Sequence, residues 1–234
     1  MPIKNTETSI TVCACASRGI MDRSEIIRLV SALKNAGYLV NVIPDLCKTA
    51  VSSAEQMIEI ASTAVVACYP RALMSIFHRL GLKPQQVYDI RNNSSEQVLG
   101  EMGISQPVFS PEQPFPEFPS DEGQEAWNPV IDKERCTECG KCHDFCLFGV
   151  YSIDKGIVSV TQPQNCKNNC PACARVCPLK AIIFPKYEKS PFNGGLHDEE
   201  QFAQTDNKTF YNIALKHKLD ERRAKVSLLR KKQL

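Results

Sequence analysis

Eight cysteines between Cys136 and Cys177 fall into two ordered runs, Cys136-x2-Cys139-x2-Cys142-x3-Cys146 and Cys166-x3-Cys170-x2-Cys173-x3-Cys177-Pro178. A cubane iron–sulfur cluster needs four thiolates around it, and short spacers let one tight loop present three of them. In paired runs of this kind the fourth thiolate comes from the other run. The spacing therefore predicts two [4Fe-4S] clusters. Cys136, Cys139, Cys142 and Cys177 would hold the first, and Cys146, Cys166, Cys170 and Cys173 the second. Structural zinc is the alternative, because Cys139-x2-Cys142 and Cys170-x2-Cys173 alone match a zinc ribbon. Zinc would leave four cysteines of the same segment without a role.

The other four cysteines, Cys13, Cys15, Cys47 and Cys68, look scattered until their supporting elements are placed. Residues 8–104 read as alternating strands and helices. Strand one is expected over Ser9 to Cys13. A helix follows with Asp22 as cap and Glu25 in the reciprocal capping-box position, an apolar stripe of Ile26, Val30 and Leu33, and Gly37 at its end. Strand two, Tyr38 to Ile43, stops at Pro44. A helix from Ser52, with Glu55 again reciprocal, turns Ile58 and Ala61 inward. The unbroken apolar run Ala64 to Cys68 has the signature of a buried parallel strand. Pro70 then opens a helix carrying Leu73, Ile76, Phe77 and Leu80, closed by Gly81. Gln86 to Ile90 is a fourth strand and Ser94 to Glu101 a short helix. Repeated strand–helix units imply a small parallel sheet of the flavodoxin or Rossmann type. In such a sheet the carboxyl ends of the strands form the ligand-binding edge. That edge would receive Cys13 and Cys15 from strand one, Cys47 from the loop after strand two, and Cys68 from strand three. On spacing and topology alone, a third [4Fe-4S] cluster, zinc, a redox disulfide and inert core packing all stay open.

Two resemblances bear on these sets. The segment from about Asn128 to Lys186 resembles the bacterial two-cluster ferredoxins, with two departures. The spacer Lys167-Asn168-Asn169 has three residues where that family usually has two, which bears on Cys166 as a ligand, and Leu147 replaces a common proline. Separately, Val12-Cys13-Ala14-Cys15, Leu46-Cys47 and Ala67-Cys68-Tyr69-Pro70-Arg71 resemble the N-terminal domain of the flavin-binding heterodisulfide reductase family. That resemblance implies an iron–sulfur cluster on Cys13, Cys15, Cys47 and Cys68. No G-x-G-x-x-G occurs, so neither a flavin nor an NAD site is expected, and no electron bifurcation is carried over.

The chain has 234 residues, a net charge of +2 and ordinary apolar and charged fractions. No run reaches the length of a membrane span, and Met1 to Thr11 lacks a signal-peptide layout. Twelve cysteines in such a chain argue for metal ligation in a reducing compartment, so a cytoplasmic location is expected. The expected architecture is α/β plus α+β: a parallel α/β domain (1–104), a proline-rich acidic linker (105–128), a two-cluster ferredoxin domain (129–186) and a basic, partly helical tail (187–234). Ser105 to Pro129 holds six prolines, and Lys208 to Leu234 carries nine basic against two acidic residues. The basic tail would dock an acidic redox partner, fold onto the acidic linker or be merely solvated. Arg18 and Arg71 flank the N-terminal cysteines and would either stabilise a reduced cluster by charge or be solvated. Phe145, Phe148 and Phe184 are expected to form the ferredoxin core that excludes water. No residue stands out as acid, base or nucleophile, so no substrate site is expected, and nucleic-acid binding lacks a motif. The expected function is an electron-transfer subunit of an anaerobic oxidoreductase complex, relaying electrons to a flavoprotein or another subunit. The alternative is a redox-sensing or assembly module with a labile cluster or zinc on the N-terminal cysteines.

Overall fold

The computed structural model describes residues 9–109, 115–118 and 126–195. The N-terminal half alternates strand and helix: β1 (Ser9–Cys13), α1 (Arg23–Asn35), β2 (Leu39–Ile43), α2 (Leu46–Ser52), α3 (Ala54–Ala61), β3 (Ala64–Ala67), α4 (Pro70–Arg79), β4 (Gln86–Asp89) and α5 (Ser95–Glu101). The four strands form one parallel sheet in the order β2-β1-β3-β4. Every residue of β3 is buried, as a central strand covered on both faces requires. Ile26, Leu29 and Leu33 of α1, Met57 of α3, and Leu73, Ile76 and Phe77 of α4 complete the core.

Local chemistry explains where the elements depart from expectation. Cys47 lies not in a loop but in the first turn of α2, where Asp45 is the N-cap and accepts from the Lys48 amide at 3.2 Å. Ser53 rather than Ser52 caps α3, accepting from the Gln56 amide at 3.3 Å. Met57, Ile60 and Ala61 consequently face inward, and Ile58, expected there, is exposed. A one-residue shift rotates a helical stripe by about 100°. Asp22 does cap α1, accepting from the Ser24 amide, but the Glu25 carboxylate reaches across to the Ser95 amide at 2.5 Å instead of back to its own helix start. The complete capping box belongs to α5, with Ser94 and Gln97.

The second half closes through a two-residue antiparallel pair, β5 (Val130–Ile131) with β8 (Ile182–Ile183). Between them lie α6 (Lys141–Phe145), the hairpin β6 (Tyr151–Asp154) and β7 (Ile157–Val160), and α7 (Ala172–Val176). The hairpin turn is Lys155-Gly156, both with positive φ, as a tight turn matching the strand twist requires. A small second core gathers Trp127, Ile131, Val150, Tyr151, Val158, Ala174, Ile182 and Phe184. The described parts of the proline-rich stretch contain no helix or strand, and Phe109 and Phe115 pack against the N-terminal core. The expected helix from Lys208 and its basic tail lie outside the described residues. Among the described residues no helix is long and apolar enough to cross a membrane.

Cations of the N-terminal half hold the two halves together. Arg71 donates to Asp132 Oδ2 at 2.5 Å and to the carbonyls of Lys180 and Pro191. Arg91 donates to the carbonyls of Pro185 and Tyr187, each at 2.9 Å. Gly194, at φ +99°, passes so close to α4 that a Cβ there would stand 2.8 Å from Ala72 Cβ. Because Asp132 is buried, removing its main cation strands a carboxylate. Arg71→Leu is expected to cost about 3 kcal/mol, read as a lower urea midpoint; an unchanged midpoint would show that the pair does not hold the halves together.

Candidate metal centres

The cysteine loops need backbone that ordinary residues avoid. Glu138 and Gly140 in the first run, and Asn169 in the second, have positive φ. Asn169 is the third residue of the long spacer, at φ 60°, a left-handed conformation that asparagine tolerates well. The extra residue is thus absorbed in a kink. Leu147 follows α6 at 92% exposure, so its replacement of proline costs no packing.

The two runs are interleaved in space. Cys136, Cys139, Cys142 and Cys177 line one cavity, with Val158 and Leu179 on its apolar walls. Cys166 feels the charges of Cys173, Cys170 and Cys146, so the long spacer does not take it away from the other three. Hydrogen-bond donors reach several sulfurs: the Ala181 amide to Cys177 at 3.3 Å and the Tyr151 hydroxyl to Cys173 at 3.1 Å. Burial pushes the Cys142 and Cys166 thiols up to about 12 and Cys173 to about 11, with neighbouring sulfur charges adding to each rise. Of the three phenylalanines expected to exclude water, only Phe184 is buried; Phe145 and Phe148 stand partly in solvent beside Cys146.

The N-terminal thiols also converge. Cys13, Cys15, Cys47 and Cys68 line one cavity at the carboxyl edge of the parallel sheet. All four are buried, and Cys15 has positive φ, turning the chain back after β1. The Leu46 amide donates to Cys13 Sγ at 3.3 Å. Burial raises all four thiols, Cys68 to about 12 and Cys47 well above its ordinary value. Leu73 of α4 and Pro185-Lys186 from beyond β8 close the cavity.

Arg18 and Arg71 do not supply the charge expected at this site. Arg71 is spent on Asp132, while Arg18 lies over the Trp127 ring at 4.7 Å and donates to Asn169. Arg91 acts on Cys15 and Cys68 by its charge, but the cation bonded to this site is Lys186, which nothing in the sequence singles out. Its ammonium is buried and donates to Cys15 Sγ and Ser17 Oγ, each at 3.0 Å, and to the Asp45 carboxylate. Burial pulls the Lys186 ammonium toward neutrality, but the charges of Cys47, Cys15 and Asp45 outweigh it and hold the proton firmly.

These donor sets are chemically suited to iron–sulfur clusters: two of them offer four soft thiols around a cavity, and the set of Cys146, Cys166, Cys170 and Cys173 brings four within electrostatic reach of one another. Among the described residues no group of three or more His, Cys, Asp or Glu side chains is drawn together closely enough to hold a single metal ion. None of the twelve cysteines is joined in a disulfide.

Known proteins share part of this sequence. An uncharacterised ferredoxin of Methanocaldococcus jannaschii is 48% identical over 67 residues, 28% of this chain and 45% of its own length. Ferredoxin-3 of a Nostoc species is 31% identical, with 24% of this chain and 79% of the relative covered. The chain belongs to the ferredoxin family. A pyruvate synthase subunit, PorD of M. jannaschii, is 32% identical over 27% of this chain and 72% of the relative. No protein-family model matches the chain. The matched ferredoxin segment, about a quarter of this chain, supports an iron–sulfur electron-transfer role.

Replacing Cys142 with alanine is expected to remove about four iron atoms per chain and to unfold the surrounding ferredoxin segment, because small cluster domains take much of their stability from the metal. Iron analysis with near-UV circular dichroism checks this; a fully loaded, natively folded variant contradicts the grouping of Cys142 with Cys136, Cys139 and Cys177.

Proposed function

We propose that the chain is an electron-relay subunit with three [4Fe-4S] sites, two in the ferredoxin domain and one in the parallel α/β domain. Cys136, Cys139, Cys142 and Cys177 hold the first, Cys146, Cys166, Cys170 and Cys173 the second, and Cys13, Cys15, Cys47 and Cys68 the third. When bound, such clusters supply one-electron storage and transfer. The chain's own residues set the insulation and the field. Buried apolar walls exclude water, while amides and the Tyr151 hydroxyl donate to ligand sulfurs and stabilise added negative charge.

The observation that carries the third site is the meeting of four thiols, from the ends of β1 and β3 and the start of α2, in one cavity. Isolated buried cysteines have no reason to gather at the ligand-binding edge of a parallel sheet. The segments around Cys13, Cys15, Cys47 and Cys68 resemble the N-terminal domain of the flavin-binding heterodisulfide reductase family, which supports the same assignment. The relationship to a pyruvate synthase subunit supports a place in an oxidoreductase complex, with substrate chemistry on a partner chain.

Iron and acid-labile sulfide, measured on protein purified without oxygen, test the relay directly. About twelve irons per chain are expected, falling to about eight in Cys68→Ala. Eight irons in the unaltered protein, with zinc in the remaining site, would replace the third cluster by a zinc or sensing role. A Cys68→Ala protein that keeps its full iron would remove Cys68 from the ligand set.

A further inference from the structure

Lys186 belongs to the ferredoxin half in sequence, following β8, yet its ammonium lies in the wall of the N-terminal cavity. Its side chain is 2% exposed. A lysine ammonium has three N–H donors, and here each meets an acceptor: Cys15 Sγ, Ser17 Oγ and the Asp45 carboxylate. Ser17 also donates to the same Asp45 carboxylate, so the four groups form one closed network. Asp45 is fixed in turn by capping α2, the helix that carries Cys47.

A buried ion pair is weak grounds for stability, because a well-packed apolar pair of similar volume commonly does as well. The placement has another consequence. A positive charge bonded directly to a cysteine sulfur favours whichever state of that site carries more negative charge. We propose that Lys186 is the residue that sets the reduction potential of the N-terminal site, so that this site accepts an electron readily only while the ferredoxin half is docked against it. This rests on the assignment of a cluster to Cys13, Cys15, Cys47 and Cys68.

With clusters bound in both halves, the step would be a one-electron transfer from a reduced cluster of the ferredoxin half, the donor losing the one electron that the N-terminal site gains, with no bond broken. Lys186 stabilises the added unit of negative charge through its contact with Cys15. Asp45, on the same ammonium, opposes it. The two residues therefore make predictions of opposite sign, which a merely structural role for the network would not.

The test is an anaerobic redox titration of the full chain followed by electron paramagnetic resonance, alongside iron analysis of each protein. Lys186→Met keeps the length and removes the charge. It is expected to retain full iron and to lower the potential of one site while the other two stay in place. Asp45→Asn is expected to raise the potential of that same site. An iron-complete Lys186→Met with three unmoved potentials overturns the proposal, and so does an Asp45→Asn shift in the downward direction. If Lys186→Met fails to load its third site, Asp45→Asn decides: an upward shift supports the role of this network, and an unmoved potential refutes it. Unaltered protein with only about eight irons and no third signal removes the site itself, a failure separable from a misplaced lysine.

Discussion

Gathering thiolates away from water is the constraint on which the structure turns. Each of the three cysteine groups gathers thiols in partly or fully buried surroundings, where like charges would repel once they ionise, and burial is the largest cause raising them above their ordinary range. Iron bound at the proposed sites would offset that penalty. The ferredoxin half has only strands of two to four residues and a core of modest size. Its cohesion is therefore tied to its cargo, whereas the parallel sheet has a large apolar core of its own.

The same electrostatic logic governs the seam between the halves. Arg18, Arg71 and Arg91 reach from the sheet domain to carbonyls, a carboxylate and an aromatic ring on the other side. Lys186 reaches back in the opposite direction. Arginine suits such a task, since its planar fork serves several acceptors at once and gives up its hydration easily. The seam is thus a polar lattice, supplemented by apolar contact through Val130 and Ile183, which join the sheet domain's core.

Much of this is legible from residue types and spacing. The strands of the parallel sheet, the proline-opened helix and the meeting of Cys13, Cys15, Cys47 and Cys68 at one edge follow from apolar periodicity and the geometry of βα units. Helix α2 escapes such a reading, although Asp45 at its start is a cap signal in plain sight. Lys186 is invisible for a different reason. A lysine in a loop ordinarily faces water, and only the folding of one half against the other buries this one. The roles expected of Arg18 and Arg71 fail in the mirror-image way: closeness in sequence to a cysteine does not fix where a long side chain ends. Phe145 and Phe148 show that an aromatic next to a cysteine need not cover it.

The β5–β8 pair has one more implication. Val130 lies directly opposite Ile183, so the peptide enters and leaves the iron-binding region at neighbouring points. Topologically, everything between them is a side-loop hung on a short two-strand stem. A graft onto another scaffold would need only a gap about 5 Å wide, together with a greasy patch to receive Val130 and Ile183. Transplantability of this sort follows from the hydrogen-bonded stem alone, whatever the grafted loop carries.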